Sequence, residues 1–353
     1  MTTPDFGELL NVTPLANVSA GANEMPSRLA TSIGASVMLA FFVQGIVGNL
    51  WIICGVFVHR KMWTVINIFI TSLCVNDLLS LCLIVILIID SYIWRRWTAG
   101  EVMCKLNPEF TVAFIGCSLW HTALIAIHRY IVVVHNNIYK KMKRNAYVVF
   151  VLVMARAIPV ACAVPGFSLD SSGYVPKMLR CILLPTQKAR IISVTVIQVI
   201  VPCVVVVFCY LLIFGFVYRT SRQLNLSNNN MRREIQITKM FGIIFLMILL
   251  GFIPYTAVRN ADRGNRFGAD VYVIISVFYA IATCSSPLVY GFMSRDIQES
   301  CLAFLARIVK VLKLQKCSKC LKPHEGYIQP TDGQMETNAE MVTWTESKTQ
   351  TDL

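Results

Sequence analysis

The sequence predicts an all-α membrane protein, a seven-transmembrane helix bundle followed by a short amphipathic eighth helix. Three observations predict it. Of 353 residues, 56% are hydrophobic and only 14% charged, whereas a soluble domain carries about 25% charged residues. Seven apolar runs, at 32–58, 65–91, 104–134, 145–167, 190–218, 235–260 and 270–292, match the roughly 20 helical residues that a hydrocarbon layer of about 30 Å requires. Basic residues gather at alternate ends of these runs. The chain therefore divides into a tail at 1–31, a bundle at 32–292, an interfacial helix at 293–312 and a disordered tail at 313–353.

The first 28 residues hold no apolar core of signal-peptide length, and they carry glycan acceptor patterns at Asn11 and Asn17. Between spans one and two lie His59, Arg60 and Lys61; between three and four, Lys140, Lys141, Lys143 and Arg144; between five and six, Arg219, Arg222, Arg232 and Arg233. The segment after span seven is basic as well, from Arg295 to Lys322. The positive-inside tendency makes that side cytoplasmic, so an odd number of spans leaves the N-terminus outside, as in a multi-pass protein of the plasma membrane. The net charge of +13 sits at span ends; it reads as attraction to the lipid of the inner leaflet and not as nucleic-acid binding.

Of the 13 cysteines, most lie inside spans, as small packing residues do. Cys104 opens span three at its outer end and Cys181 lies in the outward loop 168–189, so both face the oxidising side with no other outward partner. A Cys104–Cys181 disulfide is expected. Cys317 and Cys320 stand among lysines on the reducing side, where acylation is the expected modification. In 295–312, Ile297, Cys301, Leu302, Leu305, Ile308 and Leu312 form one helical stripe behind a Ser294 cap, as a helix lying on the inner leaflet would have.

The ordered set of Gly48–Asn49, Asp77, the Cys104/Cys181 pair, "HRY" at 128–130, Pro202 with Tyr210, "GFIPY" around Pro254 and "SSPLVY" ending on Tyr290 resembles a rhodopsin-class G-protein-coupled receptor. The resemblance covers about 32 to 312. It implies an extracellular ligand, a heterotrimeric G protein and arrestin as partners, activation by outward movement of span six, and no enzymatic activity. The 25 residues from Cys104 to Arg129 span roughly 37 Å of helix, which puts Arg129 at the cytoplasmic rim. By resemblance Arg129 contacts the G protein, Tyr130 packs beside it, and Tyr210, Tyr290, Pro254 and Phe252 belong to the activation switch.

The chain departs from the family in several places. His128 stands where an acid usually restrains the Arg, and an imidazole cannot do so; it is expected either to hydrogen-bond on a helix face or to leave the restraint to Glu234, 20 residues before Pro254. Asp77 lies mid-span, where an ionisable group is a functional hypothesis by default. With Asn49, Ser118 and Ser286 it would form the family's sodium pocket, although Ser286 replaces an Asn. The mid-membrane charges reduce in this reading to Asp77 and Arg156. Arg156 is expected to pair with Asp77, or else to reach headgroups or backbone carbonyls.

The wall positions that face ligand in the family fall on Asp90, Thr111, Val112, Ile115, Val194, Tyr255, Arg259, Tyr272 and Ser276. Thr111 replaces the Asp of aminergic receptors, and Ala280 the retinal-binding Lys. The outward rim mixes Arg95, Arg96, Lys177, Arg180, Arg259, Asp262, Arg263 and Arg266, which suits a peptide or an anionic ligand; a melatonin-like, lipid or other non-aminergic small molecule is the alternative. The polar tail ends in Thr351, Asp352 and Leu353, a pattern similar to a PDZ-domain ligand. A transporter would show internal repeats and interrupted spans, and no HExxH or GxSxG motif of a hydrolase occurs.

Overall fold

A computed structural model describes residues 24–58, 62–141, 144–167, 172–183, 188–223, 229–262, 266–294, 297–307 and 309. Asn11, Asn17, Cys317, Cys320 and the Thr351–Leu353 terminus lie outside the described residues, as does the side chain of Glu234. Six helices are long and apolar enough to cross a bilayer, and a bent pair supplies the seventh span.

Span one is Arg28–Val58. Span two runs over Val65–Trp94 and starts at Thr64, whose hydroxyl accepts the amide of Asn67. This cap satisfies one of the free donors at the helix start. The span is broken by a π-helical turn at Leu81–Val85, and Asn107 of span three donates to the Leu83 carbonyl inside that turn at 3.2 Å. Span three is Gly100–Val134, and span four is Arg144–Phe167. Span five comprises Lys188–Thr195, a second π-helical turn at Val196–Ile200, and Val201–Gln223. Gln198 of that turn donates to the Pro159 carbonyl of span four at 3.1 Å. It passes Gly116 of span three, where a Cβ would lie 2.9 Å from the Pro159 ring.

Span six is Asn229–Ala261, with Pro254 inside it. The run expected as one helix at 270–292 is instead Ala269–Cys284 followed by Ser286–Met293, bent by 40°. Pro287 sits in the first turn of the second piece and lacks the N–H that would continue the ladder. The Ser285 hydroxyl donates to the Ile281 carbonyl at 2.6 Å beside the break. A further helix occupies 297–307; the Ser294 hydroxyl accepts the Ile297 amide at 3.4 Å, and Phe304 meets Trp51 edge to face.

The bundle is polar-centred and apolar outside, as a lipid solvent requires. Phe57, Phe208, Leu211, Phe214, Leu250 and Phe278 are exposed, while Asn49, Asn76, Asp77, Glu109 and His121 are buried. One apolar cluster around Phe69, Ile125, Phe241 and Tyr290 fills the cytoplasmic half. A second, around Met38, Leu81, Ile88 and Val273, fills the outer half.

Candidate functional site

The outer end is closed by a hairpin of β1 (Ser172–Val175) and β2 (Arg180–Leu183), antiparallel, with Tyr174 opposite Cys181. The expected disulfide joins Cys104 to Cys181, Cα to Cα 5.2 Å, and ties the hairpin to span three. Ahead of β2, the Lys177 ammonium lies 2.6 Å from the Asp262 carboxylate, both side chains buried, and 5.3 Å from the Tyr272 ring centre. Asp262 also accepts the Tyr272 hydroxyl at 2.8 Å and the Phe267 amide at 3.0 Å. Burial alone would raise the Asp262 carboxyl, but Lys177, Phe267 and Tyr272 together hold it below the usual carboxylate range. Arg259 donates to the Leu183 carbonyl at 2.6 Å. Rim charges expected to meet a ligand are thus partly the fastening of a cover.

The wall residues are not all turned to one space. Ile115 lines the central cavity, and Tyr272 and Ser276 are buried. Tyr255 lies beneath the Arg180 guanidinium at 5.5 Å. Asp90 instead accepts the Thr98 hydroxyl, Thr111 donates to the Asn107 carbonyl of its own helix, and Val112 and Val194 are half-buried.

Besides the mid-membrane Asp77 and Arg156, a charged pair lies inside the bundle near its outer end. Glu109, 0% exposed, pairs with Arg190 of span five at 2.5 Å. Its other oxygen, Oε1, is buried without a partner. The signal was present in the sequence, since Glu109 follows Cys104 by only five residues, well inside the helix.

The central cavity, about 30 Å³, has Asp77, Ser80, Ser118 and Ser286 among its lining, with Phe114, Phe252 and Tyr279. Its size suits one or two water molecules or a small ion. One Asp77 oxygen and the Asn49 Oδ1 are buried without partners, Ser286 is the polar neighbour of the Asp77 carboxyl, and Ser118 accepts from Asn76 at 2.9 Å. Oxygen donors beside one carboxylate fit a monovalent cation. Among the described residues no group of three or more His, Cys, Asp or Glu could hold a metal ion.

Arg156 does not pair with Asp77. Its guanidinium donates to the Ser72 hydroxyl at 2.7 Å and the Ser72 carbonyl at 3.0 Å, and lies 3.4 Å from His121 Nε2. Ser72 stands five residues before Asp77 on span two, more than a helical turn away, so the shorter reach to a carbonyl and hydroxyl is the one taken.

At the cytoplasmic end Arg129 is 3% exposed and His128 1% exposed. His128 Nδ1 lies 3.1 Å from the Tyr147 hydroxyl of span four. The imidazole stacks on Tyr147 and meets Phe69 and Tyr139 edge to face. Arg129 lies near enough to Tyr147 and Tyr210 to interact with both electrostatically. Tyr290 of span seven packs edge to face on Phe241 of span six, Gln236 donates to the Met293 carbonyl at 2.8 Å, and Tyr130 bonds His135 at 3.0 Å. Pro254 interrupts the span-six ladder beside Phe252, which faces the cavity.

Comparison with known proteins places this arrangement. The family model described as "7 transmembrane receptor (rhodopsin family)" matches residues 48–290. The chain is 24% identical over 312 residues to the melatonin receptor type 1B-B of Danio rerio, covering 85% of this chain and 89% of the relative. It is 25% identical over 302 residues to the melatonin receptor type 1A of Ovis aries, 82% of each. It is 26% identical over 316 residues to the neuropeptide Y receptor type 1 of Xenopus laevis, covering 82% and 84%.

Proposed function

Because the chain belongs to the rhodopsin family of seven-transmembrane receptors, we propose that it sits in the plasma membrane with its N-terminus outside, binds an extracellular ligand and drives nucleotide exchange on a heterotrimeric G protein by outward movement of span six. The observation that carries this reading is the buried Arg129 at a closed cytoplasmic end. Phe241 and Tyr290, both fully buried, join spans six and seven in the same cytoplasmic half. Moving span six away breaks that contact and the Gln236–Met293 bond, and uncovers Arg129 for a partner. Glu234, on the span-six helix, is the proposed acidic restraint on Arg129, and a rise in basal signalling of Glu234→Ala is the expected sign of it.

The ligand reading that the geometry favours is a small molecule held inside the bundle. Lys177, Asp262 and Arg259, which would greet a peptide at the rim, are engaged with one another or with the hairpin backbone. The melatonin receptors among the relatives are named for a small ligand and the neuropeptide Y receptor for a peptide. A sodium ion is proposed for the Asp77 cavity, and arrestin, acylation at Cys317 and Cys320, glycans at Asn11 and Asn17, and a PDZ-domain partner at Leu353 complete the reading. The test is nucleotide exchange by purified receptor in lipid nanodiscs with each class of G protein. Exchange that Arg129→Ala abolishes supports it; wild-type receptor that catalyses exchange on none of them rejects it.

A further inference from the structure

Resting on the reading of this chain as a ligand-activated receptor, we propose that Arg180 is the anchor for a small organic carboxylate bound between the hairpin and the central cavity. The argument begins with the period of a strand. Successive side chains of β2 point to opposite faces, and Cys181 is held to span three by its disulfide. Arg180 and Ile182 therefore share the other face. Ile182 packs with Tyr272 and Ile275, which makes that face the inward one.

Arg180 is 3% exposed, and its Nε is buried without a hydrogen-bond partner. Its guanidinium lies over the Tyr255 ring, and its charge reaches Tyr92 and Tyr279. The Tyr92 hydroxyl is buried beside Ser276. Four other cations of the outer half are answered: Lys177 by Asp262, Arg190 by Glu109, Arg259 by the Leu183 carbonyl, and Arg95 by the Pro26 carbonyl at 2.7 Å. Among the described residues, no carboxylate lies within ion-pair distance of Arg180. A buried cation with no carboxylate beside it carries a desolvation cost that a bound anion relieves.

A planar guanidinium matches a carboxylate with two parallel hydrogen bonds. The same arrangement repels an amine. Tyr279 also lines the central cavity, next to Phe114 and Phe252, so an apolar body attached to the carboxylate has aromatic walls beneath it. The depth of Arg180, buried behind the hairpin, favours a compact acid over a peptide's C-terminus.

The experiment uses full-length receptor in nanodiscs. Phenylacetate, 3-phenylpropionate and octanoate are each compared with the methyl ester, and a pentapeptide with a free C-terminus is compared with its amide. The readouts are thermal unfolding and G-protein nucleotide exchange. At least one acid is expected to raise the unfolding temperature and alter exchange while its ester does neither, with Arg180→Gln weakening that acid more than about 30-fold and Arg180→Lys retaining part of the response. Arg180→Met, which removes the unanswered charge, is expected to unfold at a higher temperature than wild type without ligand and to lose the acid response. Acids and esters that act alike, no acid that acts, or a response untouched in Arg180→Gln overturns the proposal, and a response to the free peptide alone overturns the small-acid assignment. Acid binding without exchange on any G protein leaves the anchor standing and counts against the receptor reading. Basal exchange with no acid response does the reverse.

Discussion

The His128 imidazole stacks on the Tyr147 phenol ring, centroids 5.5 Å apart and planes 28° from parallel, and the Tyr147 hydroxyl lies 3.1 Å from Nδ1. An aromatic contact between spans three and four thus occupies the position next to Arg129 where the family usually has an acid. Tyr147→Phe removes one hydrogen bond and is expected to cost about 1 kcal/mol. His128→Ala removes a ring packed against three others and is expected to cost about 3 kcal/mol. Thermal unfolding of the two purified variants checks this, and the reverse order would show that the hydrogen bond matters more than the stack.

Glu109 and Arg190 form a buried pair, so removing one charge strands the other. Arg190→Met is expected to destabilise the receptor by about 3–5 kcal/mol, and adding Glu109→Gln to recover much of that loss. A double-mutant cycle read by thermal unfolding measures the coupling. Strictly additive losses would contradict the pairing.

Gly116 is the notch through which span five reaches span four. A methyl group there meets the Gln198 side chain and the Pro159 ring, and the ring cannot move aside as a side-chain tip can. Gly116→Ala is expected to cost about 1–3 kcal/mol through overpacking. Combining it with Gln198→Ala relieves only part of the clash, because the Pro159 contact at 2.9 Å remains. Full recovery of the wild-type unfolding temperature in the double variant would place the whole cost on Gln198.

Asp262 supplies a pH dependence with a definite sign. Its carboxyl is held below the usual range in the folded chain, so its contribution is complete above the unfolded value of about 3.9 and is lost as pH falls through the lower folded value. The gap in thermal stability between wild type and Asp262→Asn is therefore expected to stay constant from pH 7 to about 5 and to close below about pH 4. A gap that widened in acid would reverse the sign.

The parts of this molecule that were legible in the sequence rest on local regularities. Six spans, the helix cap at Ser294 and the Cys104–Cys181 bond follow from apolar run length, cap chemistry and the side of the membrane. The break at Ser285 was less legible, because Pro287 fits a helix start as well as a kink. The setting of His128 draws on rings from spans two and four and from the short helix Asn136–Lys141 between spans three and four, a convergence that no local pattern announces. Arg180 looked like one more rim charge; only the inward turn of β2 buries it.

The two π-helical turns, at Leu81–Val85 and Val196–Ile200, have an evolutionary consequence. Each residue advances an α-helix by about 100°, and a π-turn holds one residue more than the α-turn it replaces. Losing one residue from either turn would swing everything on its outer side, Asp90 on span two or Arg190 on span five, by that angle. Asp77 and Tyr210, on the inner side, would stay where they are. A lineage of such receptors can therefore re-aim its ligand-facing wall by a single deletion and inherit its cytoplasmic machinery unaltered.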